Sequence, residues 1–235
     1  MNRFLVIEGL IGVGKTTLCK LVRDRYKARL VLEPWAENPF LASFYDDPER
    51  FAFPAQMFYL ANRYQQQQTI RQQELFEQFV VADYLFEKDR LFAEQTLGGV
   101  ELELYDRFAG LLSEGLPNPD LIIFLDAPTE VILKRIAIRG IEAEQQIEPA
   151  YLDSLRERYY ALWARYTAAP VRILRTEELD YVNNMAHREQ VLELIQSWLE
   201  GTPGPGVPAS TLAQAKAERE TQPSLFGTPG QSPQE

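Results

Sequence analysis

A chain of 235 residues suits one ordinary domain, and with 46% apolar residues it can bury a sizeable core. Lys and Arg number 24 against 34 Asp and Glu; the formal net charge of −10, with no basic run, argues against nucleic acid as a partner. One cysteine, Cys19, and one histidine, His187, exclude an internal disulfide, a multi-cysteine zinc site and any histidine-rich metal cluster. The chain enters FLVIEG at once, with no basic region or cleavage site for a signal peptide. No stretch approaches the ~20 apolar residues of a membrane span, so a cytoplasmic protein with no membrane partner is expected.

Residues 4–7 form a short apolar run ended by Glu8-Gly9, the pattern of a buried strand. A glycine-rich turn and a helix over 15–27 follow, then a second strand over 30–32 stopped by Pro34. The pattern over 38–73 is helical, divided near Asp46-Asp47-Pro48, with the glutamine run 65–68 read as a solvated face. A third strand spans 79–82, helical segments 86–113, and a fourth strand, the clearest apolar run, 121–125. Helices over 129–138 and 148–168, a fifth strand over 171–174 and a helix over 187–199 complete the folded part. Strands alternating with helices imply an α/β fold, a parallel five-stranded sheet flanked by helices. Beyond Gly201 the composition turns to Pro, Gly, Ser and Gln, which predicts a folded domain over 1–200 and a disordered tail over 201–235.

The segment GLIGVGKTT fits the pattern G-x-x-x-x-G-K-S/T and lies between an expected strand and an expected helix. Glycines there free the backbone so that successive N–H groups converge on phosphate oxygens at a helix N-terminus. Gly9, Gly12, Gly14, Lys15, Thr16 and Thr17 are thus candidates to bind the phosphates of ATP. Lys15 reaches the β- and γ-phosphates, and the Thr16 hydroxyl is a ligand for Mg²⁺. The absence of a guanine-recognition signature such as N-K-x-D moves weight toward small-molecule kinases. Glu33 ends the second strand, at the sheet edge where ligands of parallel sheets bind, placed to accept a proton from a substrate hydroxyl. Taken alone it reads equally well as an exposed loop acid.

Together, IEGLIGVGKTT, EPW, NPFLASFYDDPERFAFPAQMFYLANR and RIAIRGIEAEQQI resemble the deoxynucleoside kinases, which phosphorylate deoxyadenosine, deoxyguanosine and deoxycytidine. The resemblance covers essentially all of 1–200. It implies a P-loop kinase fold with a short lid, a deoxynucleoside substrate, and a possible homodimer. Glu33 then matches the general base toward the 5′-hydroxyl, and Tyr45 and Glu144 the pair contacting the sugar 3′-hydroxyl. Gln56 matches the glutamine that pairs with the base edge; Arg63 and Asp89 match residues shaping the base pocket, as in purine and cytosine kinases. Arg135 and Arg139 match lid arginines that act on the phosphates, Asp83 a Mg²⁺-holding acid, and Asp180 and Tyr181 a loop around the adenine of ATP.

Two positions depart from the family pattern. Asp83 is followed by Tyr84 rather than arginine, and Arg139-Gly140 by Ile141 rather than a second arginine. One arginine at a phosphoryl-transfer site is worth ~10³-fold or more, so compensation by Lys88, Arg90 or Lys134, slow turnover, or altered chemistry follows. The competing readings are a thymidylate-type monophosphate kinase and a nucleotide-binding regulatory protein that no longer catalyses. In the tail, Gln222-Pro223-Ser224-Leu225-Phe226 resembles the peptides with which bacterial replication proteins dock into the sliding clamp, through Gln222, Leu225 and Phe226.

Overall fold

Two apolar runs without polar alternation build the centre of the sheet in the computed structural model, which describes residues 3–33, 37–73, 79–141 and 144–204. Strands β1 (Arg3–Gly9) and β4 (Leu121–Asp126) are covered on both faces, so neither needs a solvent-facing alternation. β1 lies between β4 and β3 (Phe79–Ala82); β2 (Arg29–Val31) borders β3, and β5 (Val171–Arg175) borders β4. Every pairing is parallel, in the order β2-β3-β1-β4-β5. The carboxyl ends of all five strands therefore open on one edge, and the order reverses around β1, where such sheets bind ligands.

Helices α1 (Lys15–Tyr26), α6 (Thr129–Arg139), α7 (Pro149–Arg165) and α8 (Met185–Leu199) contribute to the core around the sheet. Phe124 of β4 meets Tyr159, Tyr160 and Trp163 of α7 at centroid separations of 5.1, 5.7 and 5.8 Å. Such ring pairs add about 0.5–1.5 kcal/mol each beyond burial, enough to fix α7 against the sheet. A second apolar cluster joins α3 (Pro48–Gln73), α4 (Lys88–Thr96) and α5 (Gly99–Ser113) through Leu60, Ala93, Leu97 and Tyr105. Short α2 (Leu41–Asp46) leads into α3. This helix-on-helix layer holds one wall of the site.

The five strands and their helices fall within a few residues of the positions expected from the sequence. The segment 86–113 is broken at Gly98, which is extended, and Gly99, which has φ 50°. Helix α8 starts at Met185 because the Asn184 side chain accepts from the N–H groups of Ala186 and His187. The glutamine run is not wholly solvated: Gln67 is buried, and the Gln66 amide donates to the Leu32 carbonyl at 3.2 Å. Cys19 is buried with its thiol pushed up by that burial, as a small apolar filler would be. Among the described residues no helix is long and apolar enough to cross a membrane. Gln222, Leu225 and Phe226, with the rest of 205–235, lie outside the described residues.

Candidate active site

The phosphate loop begins where β1 stops. At Gly9 the backbone takes φ 150°, and a β-carbon there would lie 2.5 Å from the Leu125 carbonyl oxygen of β4. Gly14, at φ 114°, precedes α1 and packs under the Tyr181 hydroxyl, leaving no space for a side chain. Gly12 abuts Ile136 of α6. Helix α1 then opens with Lys15, Thr16 and Thr17, whose N–H groups lack intrahelical partners and face the loop. The Lys15 ammonium folds back over this loop, donating to the carbonyls of Gly9 at 2.8 Å and Leu10 at 3.0 Å. Burial, and then the nearby Lys88 ammonium, lower its proton affinity.

Asp83, just beyond β3, ties this loop to the end of β2. One carboxylate oxygen accepts from the Thr16 hydroxyl at 2.7 Å, and the other from the Glu33 backbone N–H at 2.9 Å. Thr16 and Asp83 thus offer adjacent hard oxygen donors, a set that suits Mg²⁺.

Around Glu33 the helical layer delivers a run of alternating buried charges. Glu33 takes the Arg63 guanidinium of α3 on one oxygen and the Lys88 ammonium of α4 on the other, the latter at 2.8 Å. Arg63 continues to Asp89, while Lys88 sits 4.0 Å from Glu8. Burial alone would raise the Glu33 carboxyl, but Arg63 and Lys88 outweigh it and hold the group well below the usual carboxylate range. Glu33 is consequently ionised across the neutral range, able to accept a hydroxyl hydrogen bond. Gln56, also buried, donates to the Thr96 hydroxyl at 3.1 Å, yet among the described residues its Oε1 has no hydrogen-bond partner, and neither has Oδ2 of Asp89. Such orphan acceptors are costly unless a ligand satisfies them.

Other candidates are placed differently from the simplest expectation. Arg135 does not stand over the loop: it donates to the Val13 carbonyl at 2.9 Å and to the Thr176 hydroxyl and carbonyl at 2.9 and 2.6 Å. It braces the phosphate loop against the end of β5. Arg139, at the exposed end of α6, pairs with Glu144, so those two meet each other. Tyr181 is buried under Gly14, its phenol pushed up to about 12 by burial. Asp180 accepts from the N–H groups of Val182 and Asn183 and shapes that loop. Tyr45 lies on α2, and its side chain falls outside the described residues.

Glu8 was not legible as a site residue, because in sequence it simply ends an apolar strand. Fully buried, it accepts from the N–H groups of Leu85 at 2.6 Å and Gly9 at 3.1 Å and from the Tyr159 hydroxyl at 3.0 Å. A charged residue closing an unbroken apolar run was the one available signal.

Tyr84 is wholly buried in the main core, its hydroxyl near Gln67 and the charges of Arg63 and Glu33. Restoring the family's arginine by Tyr84→Arg is therefore expected to unfold rather than to activate, since it buries a cation near Arg63. A loss of ~3 kcal/mol or more, a melting temperature lower by roughly 10 °C, is the expected result. Thermal denaturation within about 2 °C of the parent would contradict this placement.

Residues 5–200 match the family described as deoxynucleoside kinase. Over 157 residues, 66% of this chain and 76% of the relative, the sequence is 38% identical to deoxyguanosine kinase of Bacillus subtilis strain 168. It is 33% identical over 206 residues to deoxyadenosine/deoxycytidine kinase of the same organism, covering 83% of this chain and 93% of the relative. Deoxyadenosine kinase from M. mycoides, solved with the products dCMP and dCDP, shares the fold with TM-score 0.69 at 23% identity, over 85% of this chain and all of that one. With a phosphate loop tied through Asp83 to the charges around Glu33, and a family match over residues 5–200, the chain belongs to the deoxynucleoside kinases.

Proposed function

We propose that this deoxynucleoside kinase transfers the γ-phosphoryl group of ATP to the 5′-hydroxyl of a purine deoxynucleoside, forming the monophosphate in nucleotide salvage in the cytoplasm. The observation that carries this reading is the Asp83 carboxylate, whose two oxygens join the Thr16 hydroxyl of the phosphate loop to the backbone of Glu33. Donor and acceptor sites thereby meet at one residue. Bound ATP with Mg²⁺ supplies the phosphoryl group and the divalent charge that neutralises it.

The protein's own part is to hold, orient and screen. Glu33 accepts the hydrogen bond of the 5′-hydroxyl, turning the oxygen lone pair toward the phosphorus, and takes the proton as the new bond forms. Lys15 and the N–H groups of Thr16 and Thr17 stabilise charge on the transferring and leaving oxygens. Arg135 keeps the Val13 carbonyl, and with it the loop, in place. Arg139, exposed and held by Glu144, is the lid arginine left to exchange its partner for phosphate. Glu144, with Tyr45, is assigned to the sugar 3′-hydroxyl, and Asp180 to the loop beside the donor base.

Preference among bases follows from the orphan acceptors. Gln56 Oε1 and Asp89 Oδ2 can both accept from N–H groups; adenine, guanine and cytosine offer an exocyclic amine with two hydrogens, whereas thymine offers the single N3–H and can serve only one of them. Deoxyadenosine or deoxyguanosine is expected to be the best acceptor, deoxycytidine weaker and thymidine poor. A steady-state comparison in which thymidine has the highest kcat/KM refutes this.

The reading includes a homodimer. Along α5, Val100, Leu104, Phe108 and Leu111 recur every three or four residues and are 38–79% exposed, a stripe that a second copy would cover.

A further inference from the structure

The missing arginine after Asp83 leaves a question of charge that the fold itself answers. Of the three cations near in sequence, Arg90 is on the surface with Asp106 and Glu94, and Lys134 is exposed on α6. Lys88 alone enters the site. It is 3% exposed, and its ammonium lies between Glu33, at 2.8 Å, and Glu8, at 4.0 Å.

The delivery is specific. Glu8 belongs to the strand that becomes the phosphate loop, and it captures the Leu85 N–H at 2.6 Å. The Leu85 carbonyl in turn accepts from the Lys88 N–H at 3.3 Å, starting α4 at this point. The short segment from Asp83 to Lys88 is thus pinned at both ends by groups of the site. A buried ammonium is expensive, and an apolar side chain of similar length would suit a purely structural position as well. Here it serves the one Glu33 oxygen that Arg63 does not take. Without Lys88 that oxygen has no side-chain cation among the described residues, and the carboxylate is free to turn about its last bond.

We propose that Lys88 replaces the absent arginine as a positioning residue, bridging Glu33 to the strand that bears the phosphate loop and keeping its free lone pairs directed at the acceptor hydroxyl. The inference rests on the reading of Glu33 given above. It requires a cation at this place, not a lysine as such. Tyr84, turned into the core, is then no defect, because the charge has moved from the first to the fifth residue after Asp83.

A kinetic cycle tests the proposal on the full chain, with ATP and deoxyadenosine or deoxyguanosine as substrates. Lys88→Met is expected to lower kcat about 10²-fold while the acceptor KM stays within about threefold. Lys88→Arg should restore kcat to within about tenfold of the parent. In a Glu33→Gln background, Lys88→Met should cost less than about threefold further, since a residue acting through Glu33 has nothing left to act on. Should Lys88→Met fail to fold, Lys88→Gln, which can still hydrogen-bond both carboxylates, takes its place in the cycle. A kcat within threefold of the parent in the neutral variant overturns the proposal, as do a fully additive loss in the Glu33→Gln background and a failure of Lys88→Arg to recover. If instead Glu33→Gln alone retains kcat, the role of Glu33 itself falls.

Discussion

Lys15→Ala is expected to lower kcat by about 10³-fold or more while the protein melts no earlier than the parent. The ammonium sits over the phosphate loop, bound only to the carbonyls of Gly9 and Leu10, where the charge of the transferring group must be met. Its stability contribution has the opposite sign. Burial and the neighbouring Lys88 lower the lysine pKa in the folded state, so folding works against the charged form of this side chain. Removing it relieves the strain that function imposes. Turnover by single-turnover kinetics and melting by calorimetry check the two halves separately. A near-normal kcat, or an unfolded variant, contradicts the assignment.

Glu33→Gln is expected to lower kcat by about 10²- to 10⁴-fold with the acceptor KM within about tenfold. The amide keeps the shape and an oxygen acceptor, so the ground-state contact with the hydroxyl survives. What is lost is a negative oxygen held ionised by Arg63 and Lys88. Charge on that oxygen matters most as the proton leaves, which places the loss on the transition state. The same substitution leaves Arg63 and Lys88 sharing fewer anions, and stability should fall as well. Rates must accordingly be normalised to folded enzyme. A kcat within about tenfold of the parent means that another group is the base.

The fold was largely legible because its signals are local. The apolar runs of β1 and β4 are strands by length and composition, and the glycines between β1 and α1 announce a turn that must pass close to other backbone. Glu33 stood out by address, at the end of a strand where such a sheet binds ligands, though that address alone fitted an exposed loop acid as well; Asp83 was singled out only through the family resemblance. Partners were not legible. Arg135 and Arg139 share a helix at a four-residue spacing, yet one is committed to Val13 and Thr176 and the other to Glu144. Tyr181 was matched only to a loop around the adenine of ATP, and nothing in its sequence neighbourhood announced that it packs against Gly14 of the phosphate loop. The pairing of Lys88 with Glu33 spans 55 positions, and that of Tyr159 with Glu8 spans 151. Motif spacing carries no information on contacts of that range; only the packing of α4 on α3 and of α7 on the sheet creates them.

Incubating the purified chain with γ-labelled ATP and Mg²⁺ beside each of the four deoxynucleosides, and beside their monophosphates, separates the possible acceptors in one experiment. Label should appear on the 5′-oxygen of deoxyadenosine or deoxyguanosine, less on deoxycytidine, and not on any monophosphate. Transfer to a monophosphate, or release of labelled phosphate with no nucleoside phosphorylated, would contradict a purine deoxynucleoside 5′-kinase built on Asp83 and Glu33.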